Sequence, residues 1–494
     1  MHRRSPRLPV ANALVGLLGC LTLLVACAGG SSNGGRTVLL SDDDAGIPSA
    51  GGAARRQPRL STRYDDKRVG DEAAEDVATQ LGLLGDAELD AYITRIGNRL
   101  LRGAPRQGFR YQFSVVDQIE PNAFALPGGH IFISRGLLAL VNTEDELANV
   151  IGHEITNAAS RHAAASQAVA RAQNPLTPPW MRAANMAAYS RDMERDADRG
   201  GQMLAAAAGY DPMGMSTFLA SLGQWQQLEA GPRGPSFFDT HPGSVERAST
   251  NAMRASELRP RKNPALGDTR QSLLAKVEGL PVGPRREGGV FLGDRFLHPS
   301  LGFQMRFPDG WRLQNTNQAV GAMSPHRDAI IYLTADLPPG DLEKVGTDFL
   351  QKMTDGRAKI RSSQPVKLGS LDAWRIEAEA ASGQGQMYLL STFFVFRDGT
   401  WRITGMTPAL ISRKHQGQML ATMRSFRPLS VAESARIRDE RLHVVSARRG
   451  EDLEALGHRT GNQWSPLRTS IANALASTVR FQGGEQVKIA RVSQ

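Results

Sequence analysis

The sequence predicts a multidomain chain: a mostly α-helical domain with a small sheet at its cleft, then an α+β sandwich domain, then a small C-terminal module. Three observations carry this. Residues 70–258 hold apolar stripes at helical spacing around one short alternating strand; residues 259–289 are rich in Pro, Gly and Arg; and residues 290–430 change to β-branched and aromatic runs. The 494-residue length has room for several domains, and 41% hydrophobic content is ordinary for globular protein. The net charge of +10 is spread along the chain without a nucleic-acid motif. That excludes nucleic acid as a partner and leaves attraction to anionic envelope polymers or lipid surfaces.

At the amino terminus, Arg3, Arg4 and Arg7 precede an apolar run from Val10 to Ala26, the pattern of a secretory signal peptide. The alternative is a transmembrane anchor, for which the run is slightly short. Leu24-Val25-Ala26-Cys27 resembles the lipobox of bacterial lipoproteins, which implies cleavage over residues 1–27 and diacylation of Cys27. Processing would remove Cys20 and leave no intramolecular disulfide, in keeping with an envelope protein. Residues 28–69 are polar and Gly-rich, a flexible tether. Ala28 after the lipid cysteine points to the periplasmic side of the outer membrane. No second apolar stretch is long enough to span a bilayer.

Next, Ala73 to Leu101 reads as a helix with Leu81, Leu83, Leu84, Leu89, Ile93, Ile96 and Leu100 along its stripe. Asn122 to Ser134 contains a Pro-Gly-Gly turn leading into a strand over Gly129–Ser134. A helix from Thr143 through Ala172 follows, broken at Asn174-Pro175-Leu176-Thr177-Pro178-Pro179-Trp180, which is either a connector or a lid. Residues 190–200 continue as a helix, and 202–230 as one or two more with Gly209 and Pro212 between them.

The chemistry centres on His153-Glu154-Ile155-Thr156-Asn157. In H-E-x-x-H, histidines four apart lie about 40° apart around a helix and grip one ion, with the glutamate as general base. Here the second histidine is replaced by Asn157, whose amide oxygen is a weak ligand that zinc rarely selects. Glu194 and Asp198 share a face of the 190–200 helix, which offers a carboxylate ligand and a partner for the second ring nitrogen of His153. The same spacing also fits a solvated charged helix with intrahelical pairs to Arg195 and Arg199.

Together with Asn122-Ala123-Phe124-Ala125-Leu126-Pro127-Gly128-Gly129 upstream and Thr240-His241-Pro242 with Arg247 downstream, these blocks resemble the HtpX/BepA-type zinc metallopeptidases, peptidase family M48 of the gluzincin group. The resemblance covers roughly residues 70 to 255. It implies a gluzincin-type metalloprotease domain, one zinc ion, and His153 and Glu194 as ligands. It also implies Glu154 as the base, Asp198 as the partner orienting His153, and Arg247 supporting the site. His241 would act as oxyanion stabiliser or switchable ligand. The strand containing Ile131, with Asn122, Gly128 and Gly129, is implied as an edge to which an extended substrate adds. Asn157 departs from the pattern. His241 is the credible substitute, giving His153, Glu194 and His241 with Asn157 as a weak contact. His162, nine residues from His153 at about 100° per residue, falls on the opposite helical face and reads as structural.

Beyond the linker, Phe303–Phe307, Ala329–Leu333, Ala373–Ala378, Met387–Phe396 and Thr400–Thr404 read as strands, with helices at Leu342–Thr354 and His415–Ser425. This domain shows no catalytic cluster. Residues 438–494 are similar to a degenerate LysM module, which implies a βααβ fold and contact with peptidoglycan; the alternative is a small packing domain. Two functions follow. One is a zinc metalloendopeptidase that acts on misfolded or misassembled envelope proteins; the other is a non-catalytic chaperone or scaffold for them.

Overall fold

In the computed structural model, residues 63–162, 179–228, 237, 241, 244–354, 356–382 and 385–493 are described. The signal peptide, Cys27, the tether up to residue 62 and the segment 174–178 lie outside them. Among the described residues, no helix is long and apolar enough to cross a membrane.

The first predicted helix is two helices, α1 (Arg63–Gln80) and α2 (Ala87–Leu100). Gly82 (φ 78°) and Gly85 (φ 73°) take left-handed backbone between them, and Asp86 then caps α2 by accepting from the Glu88 and Leu89 amides. Strands β1 (Gln112–Val116), β2 (Ala123–Ala125) and β3 (His130–Ser134) form a sheet in the order β1-β3-β2. Helix α3 (Arg135–Leu140) follows. Thr143 caps α4 (Glu144–Ala159), and the long α5 (Pro179–Ala208), α6 (Gly214–Leu228) and α7 (Ser244–Glu257) complete the layer beneath the sheet. Ile93, Ile133, Leu147, Ile151 and Phe218 meet in one buried core.

The predicted linker carries α8 (Thr269–Val277), and its end is paired: Leu442 donates to the Leu280 carbonyl at 2.8 Å, and Val282 to that of Glu440 at 2.9 Å. The α+β region has a four-stranded sheet of β4 (Val290–Leu292), β5 (Arg295–His298), β6 (Phe303–Arg306) and, later, β14 (Arg427–Pro428). Its larger sheet has seven strands: β7 (Arg312–Asn315), β8 (Val320–Met323), β9 (Ile330–Leu337), β10 (Lys359–Leu368), β11 (Leu371–Ser382), β12 (Gly385–Phe396) and β13 (Gly399–Pro408), ordered β10-β11-β12-β13-β9-β8-β7. Helices α9 (Leu342–Met353) and α10 (Ser412–Arg424) cover it, and the short α11 (Val431–Arg436) leads out.

At the C-terminus, β15 (Glu440–Ser446), α12 (Leu453–Thr460), α13 (Pro466–Ala472) and β16 (Gln486–Val492) follow in βααβ order, with β15 and β16 antiparallel. This module is not a separate bead. Leu442, Trp464, Ile471 and Ala490 belong to the same apolar core as Ile151 of α4. Lys488 of β16 is fully buried and donates to the carbonyls of Ala139 (2.8 Å), Leu140 (3.2 Å) and Val141 (2.7 Å) at the end of α3. It thereby satisfies carbonyls that a helix end leaves open.

Candidate active site

Helices α4 and α5 cross at two glycines. A Cβ on Gly152 would lie 2.9 Å from the Gly201 carbonyl oxygen, and one on Gly201 would lie 2.7 Å from the His153 amide. This close crossing sets His153 and Glu154 of α4 against Glu194 and Asp198 of α5. His241, just before α7, enters from the third side. Its ring stacks on Phe237 with centroids 4.2 Å apart, and its amide donates to the Phe237 carbonyl at 2.7 Å.

Three buried side chains then converge. His241 Nδ1 lies 2.9 and 3.0 Å from the two Glu194 oxygens and 3.2 Å from His153 Nε2, and His153 Nε2 lies 3.6 Å from Glu194 Oε2. His153 Nδ1 meets Asp198 Oδ1 at 3.0 Å, so it donates there and leaves Nε2 as the lone-pair nitrogen facing the cluster. Arg247 ties both carboxylates down, reaching Asp198 at 2.6 and 2.8 Å and Glu194 at 2.7 Å. Asn251 adds a 2.8 Å bond to Asp198; sequence reasoning missed it, although it sits four residues after Arg247 on the same face of α7.

These contacts fix the charges. Burial opposes ionisation of Asp198, yet hydrogen bonds from Arg247 and His153 hold its carboxyl well below the usual carboxylate range. Burial likewise opposes ionisation of Glu194, but His241, then His153 and Arg247, outweigh it and lower its pKa. For His241, burial disfavours the charged ring, while the charges of Glu194 and Glu154 prevail and raise its pKa. The metal-free His241 therefore holds its proton to higher pH than a free imidazole does. A metal ligand must be neutral, so a bound cation displaces that proton. Zinc affinity should rise about tenfold per pH unit below the raised His241 pKa and level off above it. Calorimetric titration between about pH 6 and pH 8 checks this, and a flat profile would contradict His241 as a ligand.

A model of peptidase family M48 matches residues 87–178 and 176–254. This stretch is an M48 peptidase domain. It is similar to the beta-barrel assembly-enhancing protease of Escherichia coli, 28% identical over 221 residues, covering 40% of this chain and 45% of that protein. It is also similar to the mitochondrial metalloendopeptidase OMA1 of Schizosaccharomyces pombe, 29% identical over 205 residues, covering 37% of this chain and 58% of that one. The chain thus spans less than two thirds of the length of these relatives. The solution structure of cyanobacterial PsbP from Synechocystis matches 28% of this chain at 16% identity with a TM-score of 0.24, too low to inform the fold.

The donor set of the M48 domain fits a metal. The candidate ligand atoms of His153, Glu194 and His241 lie within 4.8 Å of one another, all buried. Beside them Glu154 Oε1 and His241 Nε2 face each other at 3.4 Å, buried and without a hydrogen bond. Neutral imidazoles with one carboxylate are a zinc donor set.

The structure departs from the sequence reading at four points. Strand β3 is central, paired with β1 on one side and β2 on the other, so Ile131 (0% exposed) is on no open edge. The outer strands are β1 and β2, and β2 packs against α4. Gly128 and Gly129 face α1 and Phe109 rather than a substrate: a Cβ on Gly128 would lie 2.9 Å from Lys67 Cα, and one on Gly129 2.5 Å from the Phe109 ring. Their left-handed backbone (φ 82° and 93°) shapes the turn into β3. Asn122 is buried, its amide and carbonyl both bonded to Ser134. Finally, α4 stops at Ala159, and Arg161 (φ 52°) turns the chain so that His162 comes back to Asn157, with Nδ1 2.7 Å from its Oδ1. Asn157 therefore presents its amide nitrogen, not its oxygen, towards Glu154. Thr240 and Pro242 lie outside the described residues.

Proposed function

We propose that the protein is a zinc metalloendopeptidase of the bacterial envelope that acts on misassembled envelope proteins, held by a lipid on Cys27 at the periplasmic side of the outer membrane. The observation that carries the peptidase reading is the buried convergence of His153 Nε2, His241 and Glu194 beside an unbonded Glu154 oxygen. The substrate class follows the name of the E. coli relative, a beta-barrel assembly-enhancing protease. The tether and anchor, and contact of the C-terminal module with peptidoglycan, rest on the sequence.

Zinc, when bound, supplies a Lewis acid that polarises the scissile carbonyl and acidifies water. The protein supplies the proton transfer and the orientation. Glu154 Oε1, buried and free of hydrogen bonds, takes a proton from the attacking water and later delivers it to the leaving amine. Asp198 and Arg247 fix the His153 tautomer and the Glu194 carboxylate. His241 takes the ligand position that Asn157 leaves, and in that role it is not an oxyanion donor. An extended peptide would lie along β2, the outer strand beside α4.

Glu154→Gln keeps the shape and removes the base. Casein cleavage should fall by about 10²–10⁴-fold while zinc content stays unchanged. Cleavage that survives the substitution at full rate would remove Glu154 from the reaction. A scaffold without catalysis is the second reading, favoured by the lost helical histidine at position 157; it predicts no chelator-sensitive cleavage in the unaltered protein.

A further inference from the structure

Asn157 is bonded at both ends of its amide. Its Nδ2 lies 3.3 Å from Glu154 Oε2, and its Oδ1 lies 2.7 Å from His162 Nδ1. A carboxylate accepts and cannot donate, so the amide nitrogen must face Glu154, and the oxygen is left to accept from the His162 ring N–H. Amide nitrogen offers a metal no lone pair. In this orientation Asn157 acts on Glu154, not on a cation.

His162 is delivered there by tertiary contacts. The left-handed backbone of Arg161 (φ 52°) costs about 1 kcal/mol or more for a residue with a Cβ and persists only where its surroundings hold it. Here the Arg161 guanidinium forms a two-point pair with Asp66 of α1, which is 3% exposed; Nη2 to Oδ1 is 2.8 Å, and Nε meets Oδ2. Glu154 thus has one oxygen tethered through Asn157 and the other unbonded opposite His241.

We propose that His162 is a positioning residue: through Asn157 it holds one oxygen of Glu154 so that the other is aimed into the site, and Asn157 serves the base instead of the metal. Its effect on turnover rests on the peptidase reading, whereas the His162–Asn157 link belongs to the metal-free chain as well.

The test combines a metal-free and a metal-bound measurement on the full-length protein. In a double-mutant cycle of Asn157→Ala and His162→Leu, followed by thermal unfolding after chelation, the doubly substituted protein should be no less stable than the weaker single one. Zinc affinity of Asn157→Ala should stay within about threefold of the unaltered protein, well short of the 10–100-fold losses that removing partners of metal ligands brings. Casein cleavage should fall about tenfold in either single variant and recover in His162→Gln, whose amide can donate to the same oxygen. Additive stability losses would overturn the link, and a zinc-affinity loss of about tenfold or more in Asn157→Ala would overturn its assignment to the base. If the unaltered protein takes up no zinc, the peptidase reading fails, and the metal-free cycle alone decides the link.

Discussion

Asn157→His should tighten zinc binding by at least about tenfold, the lower end of what even an outer partner of a metal ligand contributes. Position 157 lies one turn after His153 on α4, about 40° around the helix, so both side chains share one helical face. The amide there turns an N–H towards Glu154 and offers the site no lone pair. An imidazole at this position would bring a nitrogen ligand and complete a set with His153 and Glu194, with His241 freed from ligation. Competition against a chromophoric chelator measures the affinity, and equal values for the two proteins would show that position 157 does not face the metal.

The second large effect concerns stability. Lys488 of β16 is buried against the carbonyls of Ala139, Leu140 and Val141, near the buried Glu146 carboxylate. Burial pushes the Lys488 ammonium well below its ordinary pKa, partly offset by the attraction of Glu146. Glu146 in turn accepts from the Asn142 amide at 2.7 Å and the Thr217 hydroxyl at 2.8 Å. Lys488→Met leaves three buried helix-end carbonyls without their donor. At about 1 kcal/mol or more for each unsatisfied buried acceptor, the expected cost is about 3 kcal/mol. That corresponds to a fall in Tm on the order of 10 °C for a unit of this size. Calorimetric scans of the two proteins decide it; an unchanged Tm would mean that the C-terminal module contributes nothing to holding α3.

How far the sequence showed these features depends on whether the deciding contact is local. The meeting of His153, Glu154, Glu194, Asp198, His241 and Arg247 was legible through the family resemblance, because each lies in a short block that the resemblance carries over. The helix start at Thr143 carries its cap on the next turn, whereas the cap at Asp86 was passed over and the break at Gly82 and Gly85 was read through as one helix. His162 was misread because helical periodicity was extended past Ala159. The turn at Arg161 is set by Asp66, 95 residues away, and no window along the chain contains both. Strand β3 was taken for an edge because strand order is not encoded in period-two alternation. Its Ile131-Phe132-Ile133 run, buried on both faces, is the signal that marks a central strand. In the α+β region the strands rich in Phe, Tyr and Ile were legible. Strand β10 was not: Lys359–Leu368 is largely exposed and polar, so pairing with β11 alone defines it. Lys488 gives no sign in the sequence that its charge is buried, since only the approach of α3 makes it so.

The central claim is that His153, Glu194 and His241 hold a metal without a second helical histidine. Elemental analysis of the purified full-length protein, beside His241→Ala, tests it most directly. About one zinc per chain in the unaltered protein, lost in His241→Ala, is the result predicted. No zinc in the unaltered protein, or zinc retained in full without His241, would contradict it.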